Sequence, residues 1–128
     1  MVEDTKKIFL IDMDGTICED IRNEEGVERM RQAKPFQDSI DGINRLHDDG
    51  HFICIFTART DEHSDVTEEW LKRYGVRYDQ VLYNKPRKLG KYTEYHLIDN
   101  AKVRATTYKG KFSPNFVKKA FDIEVFED

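Results

Sequence analysis

Only two cysteines, Cys18 and Cys54, occur in the 128 residues. They fit neither a disulfide framework nor a paired metal motif, and they read as two small buried side chains. The four histidines (His47, His51, His63, His96) also lack metal-ligand spacing and read as surface or structural groups. No apolar run approaches the ~20 residues that span a bilayer, which excludes a membrane partner. The segment Met1 to Lys7 carries no apolar stretch of signal-peptide length, so the expected location is the cytoplasm. Repeats, linkers and low-complexity tracts are missing too. Excess positive charge is absent overall: the net charge is −4, which speaks against a general nucleic-acid binder. What remains is a chain with 38% apolar and 12% aromatic residues, enough for one globular core and too much for disorder. One domain over residues 1–128 is expected at this length.

The apolar residues fall into two kinds of pattern. Lys7 to Asp12 is a short apolar run ending in a charge, and His51 to Phe56 is another. Both read as strands buried on two faces, the pattern of a parallel sheet. Val81 to Tyr83 and Tyr95 to Asp99 are expected as a third and a fourth strand. Between the first two, Ile40, Ile43 and Leu46 form a helical stripe that begins near Pro35 and Asp38 and stops at Gly50. Val66, Trp70, Leu71 and Tyr74 form a second stripe, with Ser64 as its cap and Gly75 as its end. Residues 18–34 are charged without a clean period and read as a flap-like surface insertion. A short helix near Asn115 to Phe121 and a strand at Ile123 to Phe126 are expected in the tail. Alternating strands and helices predict an α/β protein with a mainly parallel central sheet and helices on both faces.

In such a fold ligands bind at the carboxyl ends of the strands. Asp12, Thr57, Lys85 and Asp99 each stand at or just after a predicted strand end. Asp12 and Asp14 can point into one crevice, with Gly15 permitting the turn that follows. One carboxylate can attack phosphorus as a nucleophile. The other can protonate the leaving alcohol and then activate water. Charges so close repel, and a hard cation such as Mg2+ relieves this, with Asp99 as a natural third contributor. The Thr57 hydroxyl and the Ala58 amide are candidate phosphate donors. Lys85 supplies fixed positive charge, and Arg59 is placed to clamp the phosphate or the rest of the substrate. Thr16, in the turn after Asp14, is grouped with these substrate-binding residues.

These residues carry a resemblance. Asp12-Met13-Asp14-Gly15-Thr16 is similar to the first motif of the haloacid dehalogenase-like superfamily of phosphatases. Thr57 after Ile53 to Phe56 resembles the second motif, Lys85 in Asn84-Lys85-Pro86 the third, and Asp99 after His96 to Ile98 the fourth. The matches run from residue 8 to residue 99. The resemblance implies a Rossmann-like three-layer α/β sandwich with no large cap domain. It implies Asp12 as nucleophile and Asp14 as general acid and base, with Thr57 and Lys85 on the phosphoryl group. Mg2+ would be held by Asp12, the backbone carbonyl of Asp14, and Asp99. The acid at Asp14 points to phosphate transfer, since halide needs no proton. Where the fourth motif commonly carries paired acids, Asp99 is followed here by Asn100, which can still orient a metal-bound water. Lys88 and Lys91 lie near Lys85, but Lys85 follows its strand most directly. The layout is also similar to short bacterial phosphatases associated with capsule polysaccharide synthesis.

Three functions compete on this reading. The first is a phosphomonoesterase acting on a phosphorylated sugar or related small metabolite, with an open site that a partner subunit of a homo-oligomer can cover. The second is a polynucleotide or nucleotide end phosphatase. From Lys85 to Lys119 there are ten Lys or Arg against Glu94 and Asp99, a basic stretch that can follow a phosphate backbone or simply be solvated surface. The third is a non-catalytic phosphate-binding or receiver-like domain, which has no need of an acid two residues after its phosphorylated Asp.

Overall fold

The computed structural model describes residues 6–112, and the chain divides into two compact units, Met1–Pro86 and Arg87–Asp128. The first unit carries all the regular structure among the described residues. It begins with β1 (Ile8–Ile11) and continues through a single 3-10 turn (Asn23–Glu25), α1 (Val27–Arg31), α2 (Gln37–Asp48), β2 (Phe52–Phe56), a second 3-10 turn (Asp61–His63), α3 (Ser64–Arg73) and β3 (Gln80–Leu82). The strands lie in the order β1-β2-β3 and are parallel throughout, with Ile11 opposite Ile55 and Ile55 opposite Val81. The protein is therefore of the α/β class.

The helices form where the apolar period requires them. In α2, Ile40, Ile43 and Leu46 are buried, and the chain turns at Gly50, whose φ of 93° suits a residue without Cβ. In α3 the buried residues are Val66, Thr67, Trp70 and Leu71, while Tyr74 caps the end and is half-buried. His51 fixes where β1 and β2 start to pair: its Nδ1 accepts the Lys7 amide at 3.0 Å, and the Phe9 ring meets it edge-on.

Three expectations need correction. Only the central strand β2 is buried on both faces, and only at its middle, where Ile53, Cys54 and Ile55 are buried in succession. In the edge strand β1 Ile11 is buried, but on the alternate face Ile8 is 71% exposed, and Leu10, Phe52 and Leu82 are exposed with it. Only two crossover helices accompany the three strands in this unit, so burial concentrates on one face. The expected fourth strand at 95–99 is not formed, since that segment has no ladder partner among the described residues and Ile98 is 88% exposed. The insertion at 18–34 is not a bare surface loop. Ile21, Met30 and Ala33 are buried. It leaves and re-enters at paired points, with the Glu19 amide donating to the Lys34 carbonyl and the Phe36 amide to that of Ile17. Trp70 Nε1 on α3 then donates to the Ala33 carbonyl at 2.9 Å, and Arg73 to that of Arg31.

The second unit has neither helix nor strand over residues 87–112. The expected tail helix and strand, at 115–121 and 123–126, lie outside the described residues. Among the described residues no helix is long and apolar enough to cross a membrane.

Candidate active site

Asp12 and Asp14 follow the end of β1 with Met13 between them. Met13 is buried, while both acids are half-buried, the alternation of an extended chain. The chain then folds back tightly. The Met13 carbonyl accepts the amides of Thr16 at 3.0 Å and Ile17 at 2.8 Å, and Gly15 sits at φ 84°, where a side chain would be strained. The turn brings Thr16 Oγ1 to Asp12 Oδ2 at 3.3 Å. Thr16 thus supports the acid itself in this structure.

The segments after β2 and β3 are stitched together beyond the strands. The Thr57 amide donates to the Leu82 carbonyl at 2.9 Å, the Lys85 amide to the Thr57 carbonyl at 2.9 Å, and the Asn84 amide to the Arg59 carbonyl at 2.8 Å. This lays Lys85 beside Asp12, with Nζ 3.7 Å from Oδ1 and 5.6 Å from the centre of the Phe56 ring. Thr57 is buried. Its Oγ1 accepts the Arg59 amide at 3.1 Å, which leaves its hydroxyl proton to donate elsewhere. The neighbouring Ala58 carbonyl accepts Asn23 Nδ2 at 3.0 Å, so the insertion reaches the loop after β2.

Arg59 is turned inward, onto Asp14. Its side chain is 0% exposed, and its guanidinium grips Asp14 with two parallel bonds, Nε to Oδ2 at 3.0 Å and Nη2 to Oδ1 at 2.7 Å. Nη1 donates to Thr67 Oγ1 at 3.0 Å. The fork matches a carboxylate and desolvation strengthens it, so Asp14 is held in one orientation. This departs from the expectation of Arg59 as a phosphate clamp: the donors that would reach a phosphate are spent on Asp14 and Thr67. Thr67 was legible only as a polar residue on an apolar helix face. The pairing of residues 45 positions apart had no local signal.

The electrostatics follow from these contacts. Burial pushes the Asp12 carboxyl above the usual carboxylate range; Lys85 pulls it back, and the Asp14 charge adds to the rise. Burial, and then the Asp14 charge, push the Cys18 thiol well up, so it stays neutral beside the pair. Cys18 Sγ lies 3.7 Å from Asp14 Oδ1.

Asp99 and Asn100 belong to the second unit, where Asp99 Oδ1 accepts the Ala101 amide at 3.2 Å. Lys88, also there, donates to the Thr93 carbonyl. Within the first unit, Lys85 is the lysine beside Asp12. Among the described residues no three His, Cys, Asp or Glu side chains gather as a metal-binding group. The donors that do fit a hard cation are the Asp12 carboxylate and the Asp14 carbonyl, because Arg59 occupies the Asp14 carboxylate.

No protein family and no curated protein matches the chain. Among solved structures it is similar to a structural-genomics target from Vibrio cholerae, at 25% identity and a TM-score of 0.55 over 72% of this chain and 80% of that one. It is also similar to a chain of the Pnkp1/Rnl/Hen1 complex, at 20% identity and a TM-score of 0.52 over 65% of this chain. It spans 30% of that longer chain, and the likeness there is one of fold. The chain is an α/β protein built on a parallel sheet, in common with these structures.

Proposed function

We propose that the protein is a phosphomonoesterase that carries the phosphoryl group on Asp12. The observation that carries this reading is the pairing at the strand ends: two carboxylates two residues apart, each with its own cation, Lys85 at 3.7 Å from Asp12 and Arg59 at 2.7 Å from Asp14. A lysine set beside a pair of half-buried acids is the arrangement that can bind and neutralise a phosphoryl group.

The chemistry is derived from these groups. An Asp12 carboxylate oxygen attacks phosphorus, forming an O–P bond while the P–O bond to the alcohol breaks. Asp14, oriented by Arg59, takes up a proton from the bound phosphate monoanion and passes it to the departing oxygen. It then takes a proton from water, whose oxygen attacks the same phosphorus and frees Asp12. Lys85 balances charge on the phosphoryl oxygens throughout, and Thr16 steadies the second Asp12 oxygen. A bound Mg2+, held by Asp12 and the Asp14 carbonyl, would supply charge neutralisation at the phosphate. The Thr57 hydroxyl and the Ala58 amide are assigned to phosphate oxygens on this reading, and membership of the haloacid dehalogenase-like superfamily, with its Rossmann-like sandwich, goes with it.

The preferred substrate is a small phosphorylated metabolite. The basic stretch from Lys85 to Lys119 favours a second reading, a polynucleotide end phosphatase. Phosphate release from sugar phosphates, nucleotides and 3′- or 5′-phosphorylated oligonucleotides, with Mg2+ and with EDTA, tests both. Release from sugar phosphates supports the first. Release confined to oligonucleotides, weakening steeply with salt, supports the second. No release from any of them counts against phosphatase activity.

A further inference from the structure

Asn84 has a φ of 66°, and among the described residues it is the one non-glycine residue in the left-handed region. Such a residue stores strain that its surroundings must hold in place. The surroundings are specific. In a regular strand successive amides point to opposite sides, so a strand gives one neighbour every second N–H. Here two successive amides, those of Asn84 and Lys85, both donate to the segment after β2, at 2.8 Å to the Arg59 carbonyl and 2.9 Å to the Thr57 carbonyl. A left-handed residue is what allows this, as in a bulge. Without that twist, Lys85 would leave the sheet on another heading. With it, Lys85 Nζ comes 3.7 Å from Asp12 Oδ1.

We infer that Asn84 is a positioning residue for phosphoryl transfer, its left-handed backbone aiming Lys85 at the phosphate held beside Asp12. This rests on the phosphatase reading for its purpose, while the geometric claim stands apart from it. The side chain contributes little to the twist, since Asn84 Nδ2 reaches only Asp61 Oδ2, at 3.4 Å, on an exposed edge. The backbone, not the amide group, is the working part. Glycine adopts this φ freely, alanine at some cost, and a β-branched residue only under strain.

The test compares Asn84→Gly, Asn84→Ala and Asn84→Val, reading the affinity for inorganic phosphate, kcat and KM separately, and the crystal structure of each variant. The Gly variant should keep phosphate affinity and kcat within about threefold of wild type, and the Val variant should weaken phosphate binding about tenfold and lower kcat. The Ala variant should fall between them, and it serves if the Val variant does not fold. Equal binding in wild type and the Val variant, or an equal loss in the Gly and Val variants, overturns the inference. If wild type hydrolyses no phosphomonoester, the phosphatase reading fails alone. The distance from Lys85 Nζ to Asp12 then decides the role of Asn84, expected near 3.7 Å in the Gly variant and lengthened in the Val variant. An unchanged distance in the Val variant refutes it.

Discussion

Arg59 Nε and Nη2 hold the two carboxylate oxygens of Asp14 at 3.0 and 2.7 Å, from a guanidinium with no exposed surface. This makes the orientation of the proposed acid and base depend on a fully buried residue. Arg59→Lys keeps the charge but loses the fork, because one ammonium cannot span both oxygens. It should lower kcat about 100-fold, the scale of a misplaced catalytic group, with a smaller change in KM. It should also destabilise the fold by about 1–3 kcal/mol, the cost of hydrogen bonds left unmade at Asp14 and Thr67. Urea unfolding and steady-state kinetics check both, and an unchanged kcat would show that the clamp is structural alone.

Asp12 should make the fold less stable as it ionises. Its folded-state pKa is raised above the ordinary 3.8, chiefly by burial. The native state therefore holds its proton to higher pH than the unfolded chain. The associated stability is present below 3.8 and is lost as pH rises through the folded value. Asp12→Asn should remove that loss, so its stability relative to wild type should rise from acid towards neutral pH. The comparison of unfolding curves across that range checks the sign.

His51 should act in the opposite sense. Burial, with Lys6 and Lys7 adding, lowers its pKa below 6.5, and Nδ1 must stay unprotonated to accept the Lys7 amide. The unfolded chain then binds the proton more readily, so stability should fall as pH drops below 6.5. His51→Asn, which can still offer an oxygen to Lys7, should flatten this slope. A slope unchanged by the substitution would assign it to another group.

Trp70 fastens the insertion to α3 through the bond to the Ala33 carbonyl at 2.9 Å. Trp70→Phe leaves that buried carbonyl without its donor and should cost about 1–3 kcal/mol. Limited proteolysis should then cut within residues 18–34 sooner than in wild type. Equal cutting would mean that Ile21 and Met30 hold the insertion without Trp70.

The elements legible in the sequence were those whose signal is local. The runs ending at Asp12 and at Phe56, and the stripes through Ile40 and Trp70, carry their own period, and each became the expected strand or helix. The segment 95–99 has an equally apolar run, but a strand also needs a neighbour to pair with, and no run declares that. The insertion was opaque for another reason. Of its buried residues Ile21, Met30 and Ala33, only Met30 lies in regular structure, a helix of five residues that is too short to show a period. Among the site residues, the nearness of Lys85 to Asp12 follows from parallel strands ending on one edge. The capture of Arg59 by Asp14 and Thr67 depends on long-range packing, and residue type alone suggested an exposed clamp.

The most direct test of the account is the covalent state of Asp12 during turnover. Wild type mixed with a hydrolysable phosphomonoester and Mg2+, quenched in acid within one turnover and digested, should yield the peptide containing Asp12 with one phosphoryl group attached. Asp12→Asn should yield none and release no phosphate. A rapid turnover with that peptide unmodified, or full phosphate release by Asp12→Asn, would contradict the account.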